Sequence, residues 1–231
     1  MIALTPAPSE NWVAPFLPML PVSGMAVSTL GTVFASETLV ASDSVAGRLD
    51  ELQFDLGEGP CWDAIKRGRP VLEADLPGRG RQAWPALSDA IADDGVQGVF
   101  AFPLLLGSIG VGAIDLYTMT ERTLADGDIG RMTLLAASIT RLVLGRAISQ
   151  AGLPMESERD NPYSRRVVHQ ATGAVIAQLG ISASHALQVL QGRAFAEGRT
   201  VREVAEDVIG RRVVFSRTQD GIEDTHDHPH P

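Results

Sequence analysis

Seven arginines fall within residues 162–215: Arg165, Arg166, Arg193, Arg199, Arg202, Arg211 and Arg212. A guanidinium is a planar fork of donors that grips phosphate and stacks on bases, so this group points to nucleic acid. The competing reading is a solvated helical face. A second group is aromatic: Phe54, Trp62, Trp84, Phe100, Phe102 and Tyr117, with Cys61 and Asp115 among them. Together these eight residues either line a small-ligand cavity between a sheet and helices or fill a core. Cys61 follows Gly59-Pro60 at a helix start, where free N–H groups and the helix dipole favour a thiolate. Its alternative is a small buried core residue. His226, His228 and His230 alternate near the C-terminus and could hold a transition metal, but nothing there fixes a geometry, and no metal site is expected. A Walker-type phosphate loop, a Gly-x-Ser-x-Gly elbow and a Cys-x-x-Cys pair are all missing, and no catalytic residue is assigned.

The elements that must position these groups can be read from spacing. Gly24–Leu30 and Thr38–Ser42 are short β-branched segments that suggest a hairpin. Ser44–Asp55 reads as a helix with Ser44 as its cap and Val45, Leu49 and Leu52 on one side. Gly57-Glu58-Gly59-Pro60 is a tight loop into a short helix, Cys61–Arg67. Pro70–Ala74 is a strand candidate, and Trp84–Asp94 looks helical. Gly98–Leu106 and Val111–Tyr117 are strands joined by Gly107-Ser108-Ile109-Gly110. Asp126–Gln150 is a long helix with apolar residues on two sides, so it is expected to be buried twice, by its own domain and by a partner subunit or an N-terminal helix.

A polar, proline-bearing stretch at 151–161 reads as a linker. Beyond it lie three short helices: Tyr163–Leu179, introduced by Asn161-Pro162 and stopped by Gly180; a second capped by Ser182 and stopped by Gly198; and a third opened by the capping box Thr200-Val201-Arg202-Glu203. The end of the chain, 216–231, reads as disordered.

The 231 residues carry a net charge of −9, unevenly spread: −9 over 1–161, +3 over 162–215 and −3 over 216–231. The whole-chain figure argues against a protein that coats nucleic acid, whereas the basic middle segment allows selective binding. One cysteine permits no intrachain disulfide and indicates a reducing compartment. No stretch reaches the ~20 apolar residues of a membrane span, and prolines interrupt the N-terminal apolar stretch, so a cytoplasmic protein is expected.

Two patterns match known families. Arg166-Val167-Val168-His169-Gln170-Ala171-Thr172-Gly173, then Leu179-Gly180-Ile181-Ser182, Ala186, Leu190, Ala194-Phe195-Ala196, Arg199 and Val204-Ala205 resemble the ANTAR domain, a three-helix RNA-binding module of bacterial transcription antiterminators. Thr172 and Gln191 stand where that family usually carries cations. Leu52-Gln53-Phe54-Asp55-Leu56-Gly57-Glu58-Gly59-Pro60-Cys61, with Pro103-Leu104 and Gly112-Ala113-Ile114-Asp115-Leu116-Tyr117, resembles a GAF domain, an antiparallel sheet flanked by helices that often senses a small molecule. No residue implies a cyclic nucleotide or a tetrapyrrole, and the cofactor is unknown.

The expected fold class is α+β. A GAF-like sensor domain at 1–150 and a linker at 151–161 precede a small three-helix ANTAR domain at 162–215 and the tail. The resemblance implies a signal-responsive antitermination regulator, not an enzyme, that binds RNA stem-loops. Arg165, Arg166, His169, Gln170, Thr172, Gly173, Arg193 and Arg199 are its expected RNA contacts, and helix 126–150 the seam of a homodimer. A DNA-binding regulator and a sensor acting through protein partners are the alternatives. A further one, sulfoxide-reducing chemistry in the first domain, would need more than a single cysteine.

Overall fold

A computed structural model describes residues 13–30, 36–150, 164–218 and 221–226. The chain divides into two compact units, separated between Ser164 and Arg165.

The first unit is built on a five-stranded antiparallel sheet: β1 (Gly24–Thr29), β2 (Glu37–Ala41), β3 (Val71–Glu73), β4 (Gly98–Leu106) and β5 (Ile109–Thr118), in the order β2-β1-β5-β4-β3. Its helices are α1 (Ser44–Leu56), α2 (Pro60–Arg67), the single turn α3 (Arg81–Ala83), α4 (Pro85–Ala90) and α5 (Asp126–Gln150). The stretch read as one helix from Trp84 is therefore broken: α4 ends at Ala90, and a 3-10 turn follows at Ala92–Asp94.

Side chains alternate across a strand with a period of two, and that sorts the core into two sides. Met25, Val27, Phe100, Phe102, Leu104, Ile114 and Leu116 pack with Met132, Ala136, Ile139 and Val143 of α5. Ala26, Ala41, Val99, Ala101 and Tyr117 pack with Leu49 of α1, Leu87 of α4, Leu76 and Trp84. Phe16, Leu17 and Leu20, from the 3-10 helix Ala14–Met19 and its end, pack on the α5 side, while Leu134 stays 73% exposed.

The cap of α1 is Asp43, not Ser44. Its carboxylate accepts the Ala46 N–H at 2.9 Å, and the Tyr117 hydroxyl donates to it at 3.0 Å. Gly57 and Gly68, at φ 65° and 61°, end α1 and α2 in the left-handed conformation that a side chain resists.

The second unit holds α6 (Arg166–Leu179), α7 (Ala183–Glu197), α8 (Val201–Ile209), β6 (Val213–Thr218) and β7 (Gly221–His226). Val168, Ala171, Val175 and Leu179 meet Ala186, Leu190 and Ala194 of α7 and Val201, Val204, Ala205 and Val208 of α8. The start signals Asn161-Pro162 lie outside the described residues; Ser182 and the Thr200–Glu203 capping box act as the spacing predicts.

The tail is a correction. Strands β6 and β7 pair antiparallel where a disordered segment was expected, and 227–231 lie outside the described residues. Val213 and Phe215 complete the helical core, and the Phe215 N–H donates to Oε1 of Gln178 at 3.0 Å. A three-helix unit of this size has a thin core, and the paired strands add the apolar cover that the helices lack.

Candidate functional site

The eight residues read as one cavity lining lie on both sides of the sheet. Phe100 and Phe102 belong to the α5 side, as even-numbered positions of β4. Trp84 and Tyr117 sit on the other side, beneath α1 and α4. Phe54, Cys61 and Trp62 form a third group there, with Leu30, Ile65 and Ala113. The Phe54 and Trp62 rings meet edge to face, with centroids 6.2 Å apart.

Asp115 shares a strand face with Ala113 and Tyr117 and is 2% exposed. Burial pushes its carboxyl well above the usual range, and the charge of Asp50 pushes it further; the Gln53 amide opposes both. Asp50 is itself buried and accepts the hydroxyl of Thr38. Cys61 is fully enclosed. Its thiol is also pushed well up, by burial first and then by Asp115 and Asp50. The helix start that would favour a thiolate is overruled by the absence of solvent and the nearness of two carboxylates. Cys61 is thus placed as a core residue.

Gln53 is the residue that sequence reasoning missed. Its Oε1 accepts the Cys61 N–H at 2.9 Å, and its main-chain carbonyl accepts the Trp62 indole N–H at 2.7 Å. The signal was present, because a glutamine on the same helical side as Leu49 must be buried.

In the second unit the expected RNA contacts separate sharply. Arg165 is 4% exposed. Arg193 pairs with Glu197 at 2.7 Å and keeps 11% of its side chain exposed. Arg199 reaches Glu197 at 3.0 Å and Asp207 at 2.7 Å, and Arg212 also reaches Asp207, at 2.7 Å. Burial alone would raise the Asp207 pKa, but hydrogen bonds from Arg199 and Arg212 outweigh it and hold the carboxyl below its usual range. Three arginines and two acids therefore form one chain of ion pairs. Thr172 is half-buried, and its hydroxyl donates back to the Val168 carbonyl of its own helix at 2.8 Å.

What remains outward is a stripe along α6: Arg166, His169, Gln170, Gly173 and Ala177 are exposed at helical spacing. A Cβ at Gly173 would meet nothing within 4 Å, so this glycine leaves open surface and is not a point of helix packing within the unit. On α7, Phe195 is 73% exposed beside Gly192, which is equally open. Phe195 was also missed as a site residue, though its position off the Ala186–Leu190–Ala194 stripe marks it as outward.

Among the described residues no group of three His, Cys, Asp or Glu could hold a metal ion, and no single helix is long and apolar enough to cross a membrane.

A family model described as a GAF domain matches residues 19–143, and one described as an ANTAR domain matches residues 159–209. No curated protein matches the chain. Solved structures similar to it include the GAF domain of a phosphoenolpyruvate-protein phosphotransferase from Coxiella burnetii. That structure has 15% identity and a TM-score of 0.47 over 61% of this chain and 82% of that one. Another is a GAF domain/HD domain protein from Geobacter sulfurreducens, with 14% identity and a TM-score of 0.44 over 58% and 88%. A third is a type II free methionine-R-sulfoxide reductase from Thermoplasma acidophilum, with 15% identity and a TM-score of 0.44 over 58% and 89%.

Proposed function

The chain belongs to the GAF domain family and carries an ANTAR domain after it, the architecture of a sensor joined to a regulator, and from this we propose a signal-responsive transcription antitermination regulator. In this reading residues 1–150 sense a small molecule or partner, 151–161 link, and 162–215 bind RNA stem-loops. The observation that carries it is the α6 stripe. Arg166, His169, Gln170 and Gly173 lie side by side and exposed, inside the matched ANTAR segment.

Unpaired loop bases are the readable part of RNA, by stacking and by hydrogen bonds to their edges. Gln170 and His169 supply edge contacts, Arg166 a phosphate contact, and the bare Gly173 close approach. Phe195 adds an exposed ring suited to stacking. With Arg193, Arg199 and Arg212 drawn into ion pairs, binding depends on few phosphates and is modest and selective.

Two copies joined through α5 would present two such surfaces to paired stem-loops. Support for the seam comes from exposed Leu134 and Leu142, and from an apolar groove of about 230 Å³ lined by Phe16, Met19, Leu20, Met132 and Leu135. A signal acting on the first unit shifts the spacing of the two surfaces only if it binds the two arrangements unequally.

The test is titration of the full chain against tandem stem-loop RNA and duplex DNA of equal length over a range of salt. Tighter, salt-sensitive binding of the RNA, reduced by Arg166→Ala and Gln170→Ala, is expected. Preference for the duplex would favour a DNA-binding regulator; salt-insensitive or absent binding would favour action through protein partners.

A further inference from the structure

Beneath α1 and α2 the fold buries a knot of polar atoms and leaves them without partners. Both carboxylate oxygens of Asp115, Nε2 of Gln53 and Oγ of Ser28 make no hydrogen bond. Asp115 is 2% exposed, and Gln53 and Ser28 are 0% exposed. Ser28 on β1 lies opposite Ala113 on β5, and Asp115 follows two residues on, so both point to the same side of the sheet. Gln53 looks in from α1, and its amide favours the charged form of Asp115.

A natural core seldom leaves so many polar atoms unmet in one place. A buried carboxylate is costly without a counter-charge, and none is at hand. Among the described residues, the first unit buries no Arg, Lys or His. The apolar side chains nearby are Leu30, Phe54, Trp62 and Ile65, with Cys61 among them and Asp50 within electrostatic reach.

Resting on the sensor reading above, we propose that this knot is the head-group site for a small ligand carrying a primary ammonium and a short apolar body. The ammonium N–H groups donate to Asp115, within the field of Asp50. The ligand's own acceptor, where it has one, takes the Gln53 Nε2–H, and its apolar part lies against Phe54 and Trp62. Burial and the nearby Asp50 make this an acidic spot that disfavours a phosphate or carboxylate head. The enclosure of all three polar residues limits the ligand to a compact one. Entry requires α2 to lift from the sheet, and α2 is tied to α1 through the Gln53–Cys61 hydrogen bond.

The test uses the full chain and three probes of equal shape: propylammonium chloride, propanol and sodium propionate, at matched ionic strength and neutral pH. Thermal unfolding and titration calorimetry are measured on the wild type and on Asp115→Asn. Propylammonium is expected to raise the melting temperature by an amount that grows with concentration, because it binds only the folded state. Propanol and propionate leave the temperature unchanged, and Asp115→Asn, still cooperatively folded, loses the rise.

No rise with propylammonium, an equal rise with either control, or a rise retained by the variant overturns the proposal. The wild-type comparison decides the ligand's charge even where the variant fails to fold. Failure of the sensor reading is distinguishable. A phosphate-bearing molecule retained on natively purified protein, seen by mass spectrometry, would leave a sensor standing and sink the ammonium site.

Discussion

Oε1 of Gln53 accepts the backbone N–H of Cys61 at 2.9 Å, so a side chain of α1 holds the first turn of α2. Pro60 has no N–H, and Cys61 carries one of the donors that a helix start leaves unmet; Gln53 meets it from a neighbouring helix. Gly59, at φ 138°, makes the approach feasible, since a Cβ there would lie 2.5 Å from the same oxygen.

Replacing Gln53 by Leu removes that acceptor at a fully buried site. The orphaned Cys61 N–H should cost about 1–3 kcal/mol of stability. Urea unfolding of the purified variant measures it. A change under about 0.5 kcal/mol would mean that water or a shift of α2 replaces the bond.

Asp115 gives a pH signature. Its folded carboxyl binds a proton more tightly than the unfolded one, because burial and then Asp50 disfavour its charge. Stability from this group is therefore fully present below the ordinary carboxylate range and is lost as pH rises toward the raised folded value. Asp115→Asn removes that loss, so the stability of the variant relative to wild type should grow as pH rises above the ordinary carboxylate range. A difference independent of pH would place Asp115 in contact with solvent.

Arg199 and Arg166 should differ in their effect on RNA binding. Arg199→Gln breaks the pairs to Glu197 and Asp207, lowering the melting temperature of the second unit and returning the Asp207 pKa toward its usual range. Arg166→Gln should reduce the salt slope of RNA binding by about one. Since a depressed carboxyl pKa stabilises only above it, the Arg199 effect should fade as pH falls through the folded Asp207 value. A salt slope lowered by Arg199→Gln and untouched by Arg166→Gln would reverse the assignment.

Phe215 tests the β6–β7 pair. It is 5% exposed and packed on the helical core, so Phe215→Ala should cost about 3–5 kcal/mol, measured by calorimetry of the second unit's transition. Removing residues 216–231 cuts β6 after Phe215 and deletes β7. It should therefore destabilise the unit, as well as removing the tail's negative charge. A truncated protein as stable as the full chain would show the strand pair to be dispensable.

Much of the architecture was legible in the residues. The strands of the long hairpin, the left-handed glycines Gly57, Gly180 and Gly198, and the capping box at Thr200 follow from local chemistry that a sequence carries outright. The Arg193–Glu197 pair was legible too, being four residues apart on one helix. The misreadings have physical causes. Ser44 and Asp43 are both good caps, and Tyr117, 74 residues away, donates to Asp43. The stretch from Ser216 onward is polar enough to look unfolded, yet it pairs behind Phe215, which enters a core that only the packed helices create.

By itself the sequence determined the order and kind of elements, the two-domain architecture and the concentration of arginine in the second unit, because propensity, periodicity and caps act over a few residues. Tertiary structure alone decided which of those groups can act. The sheet's period of two put Phe100 and Phe102 on the opposite side from Tyr117 and Asp115. The approach of Asp207 neutralised Arg199, and enclosure made Cys61 and Asp115 groups whose charge is suppressed. Burial and ion pairing depend on distances between residues far apart in the chain, and those distances exist only once the chain has packed.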